Sequence, residues 1–230
     1  MVKFSTSWWF LQVLLPVHDW DLTPKQAIVL QRRLAAQVVV ADRLDNIARV
    51  AGVDVGFEQQ GKITRAAAAV LSYPELQLID SAIARRVTTF PYIPGLLSFR
   101  EIPAVLDALA KLDKQPDLLI CDGQGIAHPR RFGIASHLGL LVNLPSIGVA
   151  KSRLYGNHDS VPESKGAYTE LVVKDETIGA VLRTRVNVKP LYISVGHRIS
   201  LETALHYVMA CITRYRLPET TRHAHRLASG

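Results

Sequence analysis

Leu118, Leu119, Ile120 and Cys121 form an unbroken apolar run that passes directly into Asp122 and Gly123. A strand that is apolar on both faces must be covered on both, so this run predicts the interior of a parallel sheet with helices above and below it. A strand that stops at Asp-Gly also predicts a functional edge, because the carboxylate sits where the apolar environment ends. Residues 146–150 have the same buried-strand character. The rest of the chain supplies the covers. Thr23, Pro24 and Gln26 predict a helix start, with a capping threonine, a proline at the first helical position and a glutamine closing a capping box; the helix is expected to reach about Val40. Strand-like stretches follow at 47–57, 63–72 and 76–87, separated by turns at 59–61 and 73–75 that are short enough to predict an antiparallel meander. Helical patterns at 95–112, 133–142 and 200–215 then alternate with strands at 117–121, 146–150, 171–173, 178–182 and 191–195. Residues 152–165 read as a loop, and a basic tail follows Tyr215. This order predicts one α/β domain with a mixed sheet flanked by helices.

The remaining global features narrow the class. The chain has 230 residues, about half of them apolar, and a formal net charge of +7. That is enough to bury a core, and the positive excess favours an anionic partner, nucleic acid or an acidic surface. Cys121 and Cys211 lie far apart without metal-ligand spacing and read as buried thiols in a reducing compartment. No apolar stretch has the length of a membrane span. The first residues imitate a signal peptide, but Gln12 interrupts the apolar segment and no small-residue cleavage site precedes Pro16. Residues 1–21 are therefore read as an N-terminal extension, residues 22–230 as a single domain, and the location as cytoplasmic.

Two aspartates stand inside apolar strands, Asp54 in Val53-Asp54-Val55 and Asp122 after Cys121. A buried carboxylate is costly unless it is paired or bound to a cation. Magnesium takes oxygen ligands, and one or two carboxylates with substrate phosphate oxygens suit it. The alternative is a structural aspartate satisfied by backbone N–H groups or an arginine. Glu101 also has two readings. Ser98 and Glu101 fit a capping box, which would explain the glutamate without chemistry. His128 follows a glycine-rich loop whose Gly123 and Gly125 allow close backbone approach to a ligand. His225 lies in the basic tail. Both histidines taken alone read as surface or structural. Pro91, Tyr92 and Ile93 belong to a stiff, proline-bounded loop that presents an aromatic, either a packed connector or a wedge that fills the gap left by an extruded base. Basic clusters at Lys151 and Arg153, Arg130 and Arg131, His197 and Arg198, and Arg214, Arg216, Arg222 and Arg226 are solvated faces or phosphate contacts.

Longer strings then carry a resemblance. Residues 53–57 (VDVGF), 91–101 (PYIPGLLSFRE), 121–131 (CDGQGIAHPRR), 147–152 (IGVAKS), 196–200 (GHRIS) and 215–219 (YRLPE) resemble, in order, the signature blocks of bacterial endonuclease V, over residues 22–230. The resemblance implies an RNase H-like fold and a nuclease dependent on Mg2+, with Mn2+ as a substitute. It implies recognition of DNA containing deoxyinosine, the nucleoside of deaminated adenine, and hydrolysis of the second phosphodiester bond 3′ to it. The ends would be 3′-hydroxyl and 5′-phosphate, and the protein a monomer. By the same resemblance Asp54, Glu101 and Asp122 are the acidic catalytic and metal-binding residues, His225 the C-terminal catalytic histidine, Lys151 the lysine near the scissile phosphate, and Tyr92 the wedge. His128 corresponds to a histidine near the active site. For Glu101 this reverses the capping reading. Two alternatives stay open: an inosine-specific ribonuclease on the same scaffold, and a non-catalytic module that binds damaged nucleic acid.

Overall fold

A computed structural model describes residues 18–230, and the apolar N-terminal segment considered above falls mostly outside that range. Its centre is an eight-stranded sheet. The meander comes first: β1 (Arg49–Glu58), β2 (Ile63–Ser72) and β3 (Leu78–Val87), antiparallel throughout. The two short apolar runs become β4 (Leu118–Asp122) and β5 (Ser146–Ala150), parallel to each other and to β1. Strands β6 (Tyr168–Val173), β7 (Glu176–Leu182) and β8 (Leu191–His197) complete the order β3-β2-β1-β4-β5-β8-β7-β6. The parallel strands thus occupy the middle, as their two-faced apolarity demands.

Helices cover both faces. On one side α2 (Leu97–Leu109) and α3 (Ile134–Val142) bury Ile102, Val105, Leu109 and Leu138 against Ala51, Val53 and Leu119. On the other, α4 (Leu201–Ala210) and α5 (Glu219–Ser229) bury Val208 and Ala224 against Val50, Ile120 and Val149. The first helix, α1 (Pro24–Ala35), packs Leu30 and Leu34 on Phe99 and Phe132. Its capping box forms as expected, with Thr23 and Gln26 bonded reciprocally. His18 and Trp20 already belong to the body: Trp20 stacks on His137, and His18 Nε2 lies 2.8 Å from His137 Nε2. Cys121 and Cys211 are buried free thiols.

Three expectations need correction. Helix α1 stops at Ala35, not near Val40: Val38, Val39 and Val40 are β-branched, and the backbone of Val39 bonds instead to His197 Nδ1 and Arg198 N. Helix α4 stops at Ala210, five residues short of Tyr215. The basic tail is a helix. Thr220, Thr221, Ala224 and Ala228 of α5 face inward, and this small-residue face lies directly on β1. A Cβ on Gly52 would stand 2.1 Å from the carbonyl oxygen of Thr220, and one on Gly56 2.4 Å from that of Ala228. The neighbouring strand adds Ala66, Ala67, Ala68 and Ala69, all fully buried, so the sheet keeps a shallow surface where helices press on it.

Gly52→Val should therefore lift α5 off the sheet. The expected outcome is a fall of roughly 5–10 °C in Tm, with early proteolysis after Arg216, from overpacking a site that cannot relax. A parent-like melting curve would show that the helix does not sit where described. A second outcome concerns His197. Burial, then the Arg198 guanidinium, lowers its pKa to about 4. The fold thus favours the neutral ring: its contribution is complete above the unfolded pKa of about 6.5 and is lost as pH falls from there toward 4, by up to about 1.4 kcal/mol per unit. His197→Gln should lose less stability than the parent between pH 7.5 and 5, since every other titrating group is common to both. Equal losses would refute the assignment.

Candidate active site

Strands β1 and β4 are parallel with Val53 opposite Cys121, and the next residue on each is an aspartate. Asp54 and Asp122 are therefore neighbours on one face of the sheet, at the point where β4 ends and β1 continues. Helix α2 brings Glu101 to the same place, and the three acids border one small cavity of about 90 Å³ with Val53, Val55, Val105, Cys121 and Ile134. Ser98 does not cap α2. The helix begins at Leu97 after Leu96, so Ser98 is already inside it, and its hydroxyl meets His137 Nδ1 at 3.0 Å. Glu101 is released from the capping role and makes no side-chain hydrogen bond or ion pair among the described residues. Burial first, then repulsion from Asp54 and Asp122, pushes its pKa up to about 7.

The two aspartates each hold a partner. The Lys151 ammonium, just beyond β5, donates to Asp122 Oδ2. Burial raises the pKa of Asp122, opposed by this lysine and reinforced by Asp54. His225, on the exposed side of α5, places Nδ1 2.7 Å from Asp54 Oδ2, while Asp54 Oδ1 accepts from the backbone N–H of Val55 at 2.8 Å. This contact depends on the glycine seam: Gly52, Asp54 and Gly56 alternate along one face of β1, and the helix that carries His225 can reach the carboxylate because its neighbours have no side chain. As they stand, no three His, Cys, Asp or Glu side chains among the described residues form a complete ligand set. The donor chemistry nevertheless suits a hard divalent cation: three carboxylates around one cavity, one of them desolvated and held against two like charges.

A larger cavity of about 390 Å³ opens from the same acids, and Glu101 and Asp122 border both. Its volume lies in the range of small-ligand sites, roughly 300–1,000 Å³. Tyr92 stands on its rim, 68% exposed, with Pro91 exposed beside it and Ile93 half-buried against the α1 side of the core. Gly123 lines it, at a φ of +147° and too close to Ile134 for a side chain. Gly125 does not line it: its Cα faces the Val195 carbonyl of β8, so this glycine serves packing. His128 is buried with both ring nitrogens used. Nδ1 accepts from Arg130 N at 3.1 Å and Nε2 donates to the Gly95 carbonyl at 3.0 Å, and burial lowers its pKa to about 4. It is a neutral brace for the Tyr92 loop.

The sequence reading missed the rest of that brace. The Gly95 carbonyl also accepts from Gln31 Nε2 at 3.0 Å and from Arg130 Nη2 at 2.7 Å, and Gln31 Oε1 accepts from Arg130 Nε. A polar Gln31 on the buried side of α1, next to Leu30, was the available signal. Arg130 is thereby removed from the free phosphate contacts, as is Arg131, which pairs with Glu176. Arg198 donates to the backbone and side-chain oxygens of Asn143.

The endonuclease V family model matches residues 32–226. Endonuclease V from Nostoc punctiforme is 61% identical over 213 residues, which are 92% of this chain and 96% of that protein. The crystal structure of endonuclease V from Streptomyces avermitilis has a TM-score of 0.87 and 42% identity, covering 91% of this chain and 93% of its own. Endonuclease V from Ciona intestinalis, crystallised with a 23mer DNA containing an inosine followed by a ribo-adenosine, has a TM-score of 0.79 and 29% identity, over 90% of this chain and 97% of its own. The mixed sheet with helices on both faces is the RNase H-like arrangement expected. This chain belongs to the endonuclease V family and is a nuclease.

Proposed function

We propose that this protein is a DNA repair endonuclease that recognises deoxyinosine and hydrolyses the second phosphodiester bond on its 3′ side, leaving 3′-hydroxyl and 5′-phosphate ends. One observation carries the reading: Glu101 and Asp122 belong at once to the small acidic cavity and to the larger cavity beneath Tyr92. On this reading the site for the base and the site for the phosphodiester share a wall. The relative bound to inosine-containing DNA supports the substrate class.

In this reading residues 22–230 act as one catalytic domain, working as a monomer in the cytoplasm, where two buried thiols would stay reduced. Asp54, Glu101 and Asp122 would hold Mg2+, with Mn2+ as a substitute. The ion would supply Lewis-acid polarisation of the phosphoryl group. Lys151, 41% exposed at its side chain and bonded to Asp122, swings its charge to the phosphate. Asp54 fixes the His225 tautomer with the proton on Nδ1, so Nε2 is the face that accepts a proton from the attacking water; Ser229 Oγ lies 3.4 Å from it. A carboxylate has enough lone pairs for His225, the Val55 N–H and an ion together. Tyr92 fills the gap left by the extruded base, Pro91 and Ile93 stiffen its loop, and His128 holds that loop through Gly95. Gly123 lets backbone groups approach the base, while Gly125 seats the same loop on β8. Unpairing is easiest at a mismatched base, which aids selectivity.

The direct test is an end-labelled duplex with one deoxyinosine, incubated with and without Mg2+. A single nick at the second bond 3′ to the lesion, absent after chelation, is expected. A parallel inosine-containing RNA distinguishes a ribonuclease, and binding without any product in either would leave only a damage-binding module. Asp54→Ala should lower the rate by at least about 10³-fold with an unchanged circular dichroism spectrum, since it removes both a ligand and the histidine's partner. Full activity in that variant would sink the assignment. His225→Ala should cost about 10²–10⁴-fold, the usual range for a lost proton-transfer group.

A further inference from the structure

Beside His225, α5 and the segment before it line a third hollow of about 600 Å³. Arg222 lies over the Tyr215 ring, its guanidinium carbon 3.3 Å from the ring centre, and pairs with Glu219, while the Arg214 guanidinium stands more loosely over the same ring at 5.8 Å. Tyr215 remains 44% exposed. Arg216 donates through Nη2 to the carbonyls of Lys151 and Pro190, so it sits on neutral acceptors and its charge has no carboxylate partner among the described residues. Arg226 is exposed and has no ion pair or side-chain hydrogen bond among the described residues. No Asp or Glu side chain lines this hollow among the described residues, and Glu219 beside it is already paired with Arg222. A positive groove with an exposed aromatic is the chemistry that tracks an unpaired nucleic-acid strand, charge for the phosphates and a ring for a base.

The order of features sets the polarity. The base cavity lies on the Glu101 and Asp122 side, Asp54 and His225 lie between, and the groove begins at His225 itself, which lines it. We propose that this groove holds the strand on the 3′ side of the cut, with Arg226 and Arg216 on phosphates beyond the scissile bond and Tyr215 against a base. The assignment rests on the proposed deoxyinosine reading, because that reading places the cut 3′ to the base. It gives a role to the basic residues of the C-terminal segment that the catalytic constellation does not use.

Two series of single-stranded deoxyinosine oligonucleotides test it, one lengthened stepwise on the 3′ side of the cut and the other on the 5′ side of the lesion, with kcat/KM measured for the parent, Arg226→Glu and Tyr215→Ala. The parent should gain with 3′ length, and each variant should lose roughly 5- to 10-fold of that gain through KM while responding to 5′ length as the parent does. The salt dependence for the long 3′ substrate should flatten in Arg226→Glu by about one phosphate contact, a slope change near 0.7. Parent-like 3′ gains in both variants, or equal losses in both series, would overturn the groove. If the parent cuts no deoxyinosine substrate, the functional reading fails by itself. Affinity for an undamaged single strand, measured by fluorescence anisotropy, then still decides whether Arg226 and Tyr215 hold nucleic acid: unchanged affinity in both variants overturns the groove on its own.

Discussion

The C-terminal helix lies against β1 at a separation that only glycine permits, with the Thr220 and Ala228 carbonyls where the Cβ atoms of Gly52 and Gly56 would be. Side chains alternate along a strand, so Gly52, Asp54 and Gly56 share a face, and the helix meets two bare positions with a carboxylate between them. The close approach brings His225 to Asp54, and it fixes which face of the helix turns outward with Arg222 and Arg226. The His225–Asp54 contact and the surface charge on this side of the molecule are thus consequences of one backbone contact. Packing of small residues, not of large apolar ones, defines the site.

Electrostatics completes what packing begins. Three carboxylates around one cavity repel one another in a poorly solvated setting. Asp122 is paired with Lys151 and Asp54 is hydrogen-bonded to His225, whereas Glu101 has only the more distant Arg100 charge to oppose burial and its two acidic neighbours, and its pKa rises to about 7. A divalent cation would reverse that cost, since the same burial that penalises a lone carboxylate strengthens its hold on a cation. The lysine and the histidine come from the two sides of the acids, one from beyond β5 and one from α5.

The sheet was legible where burial is symmetric. The runs before Asp122 and Ala150 announce central parallel strands because nothing else explains apolar residues on both faces, and the meander follows from its short turns. Asp54 and Asp122 were legible for the converse reason, as charges inside such runs. Glu101 was ambiguous, since Ser98 at capping-box spacing offered a local explanation; the structure decides against it because the helix starts before Ser98, and a serine inside a turn cannot cap it. Helix α5 was invisible as a helix. Its buried face is Thr220, Thr221, Ala224 and Ala228, which lack the large side chains that give a periodic apolar signal. The complementary signal was in β1, where two glycines flank an aspartate at strand spacing, but it has meaning only once a helix is known to lie above it.

The same distinction between local pattern and tertiary use governs the positive charge. In the sequence every basic cluster is equally available to an anion. In the fold most of those near the centre are spent: Arg130 on Gln31 and the Gly95 carbonyl, Arg131 on Glu176, Arg198 on Asn143. Arginine suits such work because its planar fork can satisfy several carbonyls at once while staying charged. Near the acids, Lys151 pairs with Asp122, Arg216 donates to the Lys151 carbonyl and lines the outer groove, and Arg226 beyond His225 has no ion pair among the described residues. A net charge of +7 says only that an anion is welcome. The pattern of commitments gives that charge a direction, from the larger cavity across the carboxylates to the outer face of the last helix.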